Sequence, residues 1–315
     1  MDIKQLEETF KEVSKTLGWS VDKRIALAVT TFYLTQDSGF RKKEHEEAAE
    51  IIKKKEGWAS PLRYYMFHIA SAFLALQGEP ENGLKRLNAK QLELNEAGFR
   101  KSPYTYLAAL LMEDTGEAAR AKELYDQMRQ HHKFLTSNED VPYAVLLGRR
   151  EGTAEERAAT MNAYYRELRE HGFSIGNDLQ WLSQLMTFNS PAYDPEMVGR
   201  VLATREFLQN EKIKIRPPQY PILGLLATAK ASGHTLGQIV EQTRQLENSK
   251  LFRWYKDVAF STAVQFGMKD IIETREVSDI TFSTSLEMLM QAQQAAMMAS
   301  INAAVISSSA NNGSS

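Results

Sequence analysis

Histidine is the residue type in this chain best suited to acid–base or metal chemistry, and there are six of them. The sequence places His131, His132 and His171 at the ends of charged helices, where an imidazole complements the negative end of the helix dipole. His68 falls within an apolar helix, where a hydrogen-bonded core histidine is expected. The acidic segment Glu44–Glu50 lacks both the two-histidine zinc spacing and the Glu-x-x-His spacing of di-iron bundles. The histidine pattern therefore predicts structural roles, with no metal and no cofactor.

Nucleophile and phosphate-binding motifs give no lead toward an enzyme. The chain has no cysteine, which excludes thiolate nucleophiles, thiolate metal sites and disulfides. It also has no Gly-x-Ser-x-Gly, no phosphate-binding loop ending in Gly-Lys-Ser or Gly-Lys-Thr, and no Gly-x-Gly-x-x-Gly. These absences favour a binding protein over an enzyme.

Two groups of side chains are candidates for ligand or partner binding. Aromatic residues at the starts of apolar helices can form a ladder along one edge of the molecule, because Tyr and Trp dominate binding hot spots. They can equally pack helix against helix. The residues are Tyr64, Tyr104, Tyr106, Tyr143, Trp181 and Tyr220. The second group is the loop 212–216, whose cations Lys212, Lys214 and Arg216 suit a phosphate or an acidic peptide.

A repeated pattern of helices must position these side chains. Six aromatic-rich, almost uncharged runs each end at a turn residue and are followed by a charged amphipathic run. The turn residues are Gly39, Gly78, Gly116, Gly152, Ser190 and Gly233, at spacings of 39, 38, 36, 38 and 43 residues. A period of this length is typical of stacked helix pairs. We therefore predict an all-α, solenoid-like array of about six to seven helix hairpins with a period of about 36–43 residues.

The two runs of each pair differ in character. The first run is apolar nearly all round, as in 220–229, and so must be covered on more than one side. The second run carries apolar residues on one face only, as in 117–132, 153–171, 194–210 and 235–250. Capping signals mark the starts, among them Ser60-Pro61, Ser102-Pro103, Thr153 and Thr235. An inner apolar layer and an outer charged layer follow from this alternation.

A second marker shares the same period. Several outer helices end in a turn followed by one large apolar residue: Trp19, Trp58, Phe99, Phe134, Phe173 and Phe252. We expect these side chains to fold back on the last helical turn or to wedge between neighbouring pairs.

The C-terminal segment departs from the repeat. We predict one domain over residues 1–277, an uncharged Met/Ala/Gln-rich helix over 278–306 that caps or covers the inner layer, and a disordered tail over 307–315. The same helix can pair with another protomer and so form a homo-oligomer.

Two resemblances accompany this pattern. The segment Gly116–Tyr125 resembles the second helix of a tetratricopeptide repeat, with small Ala121 facing Tyr125. Over residues 1 to 275, and most clearly in Leu94–Met112, the chain resembles a family of bacterial proteins catalogued only as a domain of unknown function. That resemblance implies an all-helical cytoplasmic protein without an assigned activity, and no catalytic residue carries over.

Charge and hydropathy narrow the choice of partners. Lys and Arg total 38 against 40 Asp and Glu, so the net charge of −2 gives no reason to expect a nucleic acid. No window is apolar enough to span a bilayer and no signal core is present, which predicts a cytoplasmic protein without a membrane role. We predict a helical scaffold that binds a peptide, a protein segment or a small ligand along its inner surface. The alternative is an enzyme with a pocket between inner helices.

Overall fold

The fold, taken from a computed structural model, is entirely helical in the part of the chain that is described. Residues 2–36, 38–64, 66–114 and 116–269 are described. They form fourteen α-helices and four short 3₁₀ helices, and these ranges contain no β-strand. The predicted all-α class is confirmed, while the solenoid-like arrangement stays a prediction. The helix predicted at 278–306 and the tail at 307–315 lie outside the described residues.

The described residues separate into two compact units. The N-terminal unit comprises Asp2–Leu84 and the C-terminal unit begins at Lys85, so the boundary falls inside the fifth helix.

The N-terminal unit is built from pairs of packed helices. Its helices are α1 (Ile3–Leu17), α2 (Lys23–Thr35), α3 (Lys42–Lys55), α4 (Phe67–Gln77) and the first turn of α5 (Pro80–Glu96). Helix α1 packs on α2 and α3 on α4, and the pairs meet through α2 with α4 and α1 with α3. Within this core the Tyr33 hydroxyl and His45 Nδ1 lie 2.9 Å apart, which gives both buried polar groups a partner.

The C-terminal unit continues the alternation of short apolar and longer charged helices. After α5 come α6 (Pro103–Leu111), α7 (Glu117–His131), α8 (Val141–Gly148), α9 (Ala154–Glu170), α10 (Asn177–Met186), α11 (Pro195–Asn210), α12 (Tyr220–Thr228), α13 (Gly233–Asn248) and α14 (Lys256–Lys269). The apolar helices contact one another in the order α6, α8, α10, α12 and α14, while α7 packs on α9 and α11 on α13.

Burial separates the two kinds of helix as the sequence predicts. Every residue of α12 is buried, whereas the buried positions of α13 are confined to one face at Leu236, Ile239, Val240, Thr243 and Leu246. A helix that is covered all round needs apolar residues all round, and an outer helix needs only a stripe.

Helices begin at the predicted capping residues, with two exceptions. Ser102 and Thr105 form a reciprocal capping box at the start of α6, and the Thr153 side chain accepts from the Glu156 N–H at 3.1 Å. Thr235 does not cap α13, because Ser232 accepts from its N–H and the helix begins at Gly233. Ser60 caps a 3₁₀ turn at Pro61–Arg63 in place of the following α-helix.

The large residues that follow the outer helices behave in two ways. Phe99 and Phe173 are buried, and each N–H bonds to a carbonyl five residues back, at Leu94 and Leu168. This bond is typical of the helix ending that folds the next side chain back onto the last turn. Phe252 is also buried. The expectation is wrong for Trp19, Trp58 and Phe134, whose side chains are 93%, 79% and 96% exposed and whose N–H groups make no such bond.

One of the repeat glycines is required by close packing as well as by backbone conformation. Gly152 has φ +92°, and a Cβ at this position would lie 2.5 Å from Pro191 Cγ. Gly172 has a similar φ of +79°, yet a Cβ there would meet nothing within 4 Å.

We expect Gly152→Ala to lower the free energy of unfolding by about 2 kcal/mol, since left-handed backbone strain and overpacking add together. Gly172→Ala is the matched control and carries the backbone strain alone, about 1 kcal/mol. Urea unfolding of both variants measures the difference, and equal losses would contradict the role of Pro191.

None of the helices among the described residues is both long and apolar enough to cross a membrane.

Candidate binding site

A depression in the C-terminal unit lies where α7 and α9 end. It holds about 1100 Å³ of space, part of which is open solvent. Its lining residues are His131, His132, Leu135, Asn162, Tyr165, Arg166, Arg169, Ile175 and Gly176. The depression is therefore an open surface feature. We call this feature the basic depression.

Helix geometry brings the side chains of α9 to one wall. Asn162, Tyr165, Arg166 and Arg169 are spaced i, i+3, i+4 and i+7, which puts them on a single helix face. The facing wall comes from the end of α7, where His131 is the last helical residue.

The lining carries positive charge without a compensating acid. The lining includes two arginines and two histidines but no Asp or Glu. Within the described ranges neither the Arg166 nor the Arg169 guanidinium forms an ion pair or a hydrogen bond. Burial, and secondarily the neighbouring His131, lower the pKa of His132. Anions are therefore attracted to this surface mainly by the two guanidinium groups.

The floor of the depression is held in place by contacts between α7, α9 and the loop before α10. The rings of His132 and Tyr165 have centroids 4.6 Å apart. The Tyr165 hydroxyl accepts a hydrogen bond from the Gly176 N–H at 3.3 Å. Because Tyr165 is only 5% exposed, its position is set by packing rather than by solvent.

His132 and Tyr165 also line a second, narrower space, which we call the inner cleft. Its other lining residues are Met128, Ala158, Met161, Gln180, Ser183 and Gln184. Its interior has room for about one water molecule. Two residues are thus shared between the open depression and a water-sized cleft.

A buried polar network lies behind the inner cleft. Asp140 Oδ1 accepts from Gln180 Nε2 at 3.0 Å and from Gln184 Nε2 at 2.7 Å. Asp140 Oδ2 accepts from the Ser137 N–H at 2.8 Å, and Gln180 Nε2 also donates to Thr136 Oγ1 at 3.2 Å. No cation faces Asp140 in this network, and burial raises the pKa of its carboxyl group to about 7.

The donors and acceptors of the inner cleft are not balanced. Gln180 is 4% exposed and Gln184 is fully buried, and both amide Oε1 atoms have no hydrogen-bond partner among the described residues. The buried Nε2 atom of His132 is in the same state. Unpaired buried polar atoms are rare in native proteins, so each requires an explanation.

The structure disperses the residues that the sequence singles out. Tyr106, Tyr143, Trp181 and Tyr220 are buried in the C-terminal unit, in agreement with the packing alternative. The Tyr220 hydroxyl accepts from the Ser174 N–H at 3.2 Å. Inside the core these rings contact other parts of the protein and present no ladder to a ligand.

The remaining aromatic candidates differ from one another. Tyr64 is 57% exposed and belongs to the N-terminal unit. Tyr104 is half-buried and donates from its hydroxyl to Glu139 Oε1 at 2.9 Å, while Asn177 Nδ2 donates to Glu139 Oε2 at 2.9 Å. Glu139 thereby ties together the starts of α6 and α10.

The basic loop is exposed but does not contribute to the basic depression. Lys212, Lys214 and Arg216 are exposed and alternate with the half-buried Ile213 and Ile215. None of these three cations lines the depression.

The arginines of α9 are not among the residues predicted from the sequence, and His131 and His132 are predicted there only to complement the helix dipole. The one usable signal is the i, i+3 spacing of Arg166 and Arg169 in the last turns of a helix. Such pairs are common on solvated helix faces, and only the packing of α7 against α9 distinguishes this one. The described residues contain no group of three His, Asp or Glu side chains that could hold a metal ion.

Fold and site together define an all-α protein with a basic depression on its C-terminal unit. A model of the family described as "Protein of unknown function (DUF4003)" matches residues 9–295, and the chain belongs to this family. It is also 28% identical to "Uncharacterized protein YeaA" of Bacillus subtilis (strain 168), in an alignment that covers 96% of this chain and 93% of that protein. The resemblance to a bacterial family of unknown function is confirmed. No solved structure matches the chain.

Proposed function

We propose that this protein is a helical binding scaffold that holds an anionic group of its ligand in the basic depression. The observation that carries the proposal is the lining, in which Arg166, Arg169, His131 and His132 occur without an acid. The guanidinium groups of Arg166 and Arg169 have no acidic partner beside this open depression, so they concentrate anions there. This site is formed by the outer helices α7 and α9, whereas the sequence predicts ligand binding along the inner apolar layer.

The chemistry of the two arginines suits a carboxylate or a phosphate. A guanidinium presents a planar fork of donors that matches two oxygens of such a group, and charge-assisted hydrogen bonds are the strong ones. Leu135, Ile175 and the ring of Tyr165 offer apolar contact to the rest of the ligand.

The anionic group can come from two sources. A free organic acid or phosphate presents it on a small molecule, and a protein segment presents it on Asp or Glu side chains or on its C-terminus. The chemistry at Arg166 and Arg169 is the same in both cases, so the experiment must separate the sources.

The test is a titration of the full-length, ¹⁵N-labelled protein with three probes: succinate, inorganic phosphate and a short glutamate-rich peptide. We expect saturable NMR shifts at Arg166, Arg169 and Gly176 with at least one probe. The double variant Arg166→Met/Arg169→Met is expected to bind that probe about 100-fold more weakly, since each charge-assisted bond contributes about 1.5–3 kcal/mol.

Arg129→Met is the matched control, because Arg129 is exposed on α7 and does not line the depression. Unchanged binding in the double variant, or shifts confined to other regions, would contradict the proposed function. Whether the peptide or a small anion binds more tightly identifies the source of the anionic group.

A further inference from the structure

We infer that the anionic group held by the basic depression belongs to a protein segment in which an acidic residue stands beside a large apolar one. The acidic side chain binds Arg166 and Arg169, and the apolar side chain packs against Phe134 and Ile175. This inference rests on the proposed function and names the source of the anionic group. It starts from two exposed apolar residues on the loops that follow α7 and α9.

The loop after α7 holds Phe134 out of the core. Its side chain is 96% exposed, the highest value for a large apolar side chain among the described residues. In the chain it stands between His132 and Leu135, which both line the depression. The Leu135 N–H bonds to the His132 carbonyl at 3.1 Å, which closes a turn with Lys133 and Phe134 at its tip. Phe134 is therefore presented at the margin of the depression.

This turn is anchored to the core by Thr136, which is only 6% exposed. The Thr136 N–H bonds to the His132 carbonyl at 2.9 Å. Its hydroxyl oxygen accepts from Gln180 Nε2 at 3.2 Å. The exposure of Phe134 is thus a property of an ordered loop that is fixed from its far side.

The loop after α9 holds Ile175 in a similar way. Ile175 lines the depression and is 70% exposed. On one side of it the Ser174 N–H donates to the buried Tyr220 hydroxyl at 3.2 Å. On the other side the Gly176 N–H donates to the buried Tyr165 hydroxyl at 3.3 Å. Apolar side chains on a backbone fixed in this manner lose little freedom on binding, which lowers the cost of association.

The shape of the depression favours a protein segment over a small molecule. Small-molecule sites enclose about 70–90% of the surface of their ligand. This depression is open, so a small anion bound in it would keep much of its surface in water. A protein segment that lies across the opening covers Phe134 and Ile175 as well. Arginine together with aromatic side chains is typical of the centres of protein interfaces.

Charge restricts the kind of segment that fits. Exposed apolar residues alone would accept any apolar partner. Here Lys133 is exposed next to Phe134, and the guanidinium groups of Arg166 and Arg169 line the same depression. A basic segment is repelled by these cations and an acidic one is attracted, so charge selects among apolar partners.

The test uses three short peptides of equal length. The first has two glutamates flanked by leucine and phenylalanine, the second replaces both apolar residues by serine, and the third replaces both glutamates by glutamine. Each is titrated into the full-length, ¹⁵N-labelled protein at pH 7.5, alongside succinate. We expect the first peptide to bind at least about tenfold more tightly than either of the others, since one buried apolar side chain or one charged hydrogen bond supplies that factor. The shifts are expected to include the amides of Phe134, Ile175 and Gly176.

The double variant Phe134→Gln/Ile175→Gln reports on the apolar contacts. Both positions are exposed, so little effect on folding is expected. We expect the advantage of the first peptide over the serine peptide to fall below about threefold, while the serine peptide binds as before. Leu92→Gln is the matched control, because Leu92 is 58% exposed on α5 and does not line the depression. The full advantage is expected to remain in this control.

The outcomes separate this inference from the proposed function. If the first and the serine peptide bind equally and both depend on Arg166 and Arg169, the depression binds anions without an apolar contact and only this inference is wrong. If succinate binds as tightly as the first peptide, the ligand is a small anion and the inference is again wrong. If the protein self-associates and the double variant at Phe134 and Ile175 abolishes this association, a second copy covers the surface in place of a partner. If neither an anion nor a peptide binds, both proposals are wrong.

Discussion

Replacing Arg157 by alanine is expected to lower the free energy of unfolding of the C-terminal unit by about 3–5 kcal/mol. Arg157 lies in α9 and is only 2% exposed. Its guanidinium donates to the backbone carbonyls of Thr187 and Glu151. Alanine would leave both carbonyls without this donor and would open a cavity where the side chain packs.

The reason for this large effect is the position of the two carbonyls. Thr187 is the C-cap of α10, and Glu151 follows the end of α8 by three residues. Carbonyls at helix C-termini have no partner within the helix and carry partial negative charge. One buried cation therefore satisfies the C-cap carbonyl of α10 and a carbonyl in the turn that follows α8. Burial lowers the pKa of Arg157 to about 10. This value is still well above neutral pH, so the guanidinium keeps its charge.

Urea unfolding followed by tryptophan fluorescence measures the effect, with the buried Trp181 as the reporter in this unit. Arg157→Met preserves most of the side-chain volume and is expected to cost less than alanine, because only the hydrogen bonds are lost. Arg129→Ala removes an exposed arginine from α7 and is expected to stay within about 0.5 kcal/mol of the parent protein. A cost below about 1 kcal/mol for Arg157→Ala would show that water replaces the guanidinium.

Helix type and position could be predicted from the sequence because they depend on neighbours along the chain. Helices α7, α9 and α11 begin and end within one or two residues of the predicted charged runs. Their apolar stripes and their caps are local patterns with a known period. The N-cap of α13 lies three residues before the predicted Thr235, because Ser232 and Thr235 are both plausible caps. Only the bond from the Thr235 N–H to Ser232 Oγ decides between them.

The candidate site could not be predicted in the same way, because it depends on contacts between distant residues. Asp140 stands in the sequence as a helix-start residue, and nothing local indicates that Gln180 and Gln184, 40 and 44 positions later, surround it. Arg157 looks like one more cation of an outer helix, yet it reaches a carbonyl 30 residues away. The aromatic residues were noticed because they are large and regularly spaced, and the same properties suit them to the core.

Asp140 makes the stability of the C-terminal unit depend on pH in an unusual direction. Its pKa is raised from 3.8 to about 7 by burial, so between these values the folded state binds a proton that the unfolded state has lost. Stability from this group is therefore present at low pH and is lost as the pH rises through about 7. In the N-terminal unit burial lowers the pKa of His45 to about 4. The pH dependence of stability from this group has the opposite sign, because stability is lost as the pH falls from about 6.5 toward 4.

The contribution of Asp140 is isolated by comparing Asp140→Asn with the parent protein, because all other titrations are common to both. Between pH 8 and pH 5 we expect the parent to gain about 2–3 kcal/mol relative to the variant, as the buried carboxyl becomes neutral. Any constant cost of the substitution, such as a weakened bond to the Ser137 N–H, cancels from this change. Urea unfolding at half-unit pH intervals gives the curve, which is expected to be level above a pH of about 7 and to rise steadily below it. A difference that stays constant over this range, or that grows in favour of the variant at low pH, would mean that the carboxyl of Asp140 is stabilised in its charged form by Gln180 and Gln184.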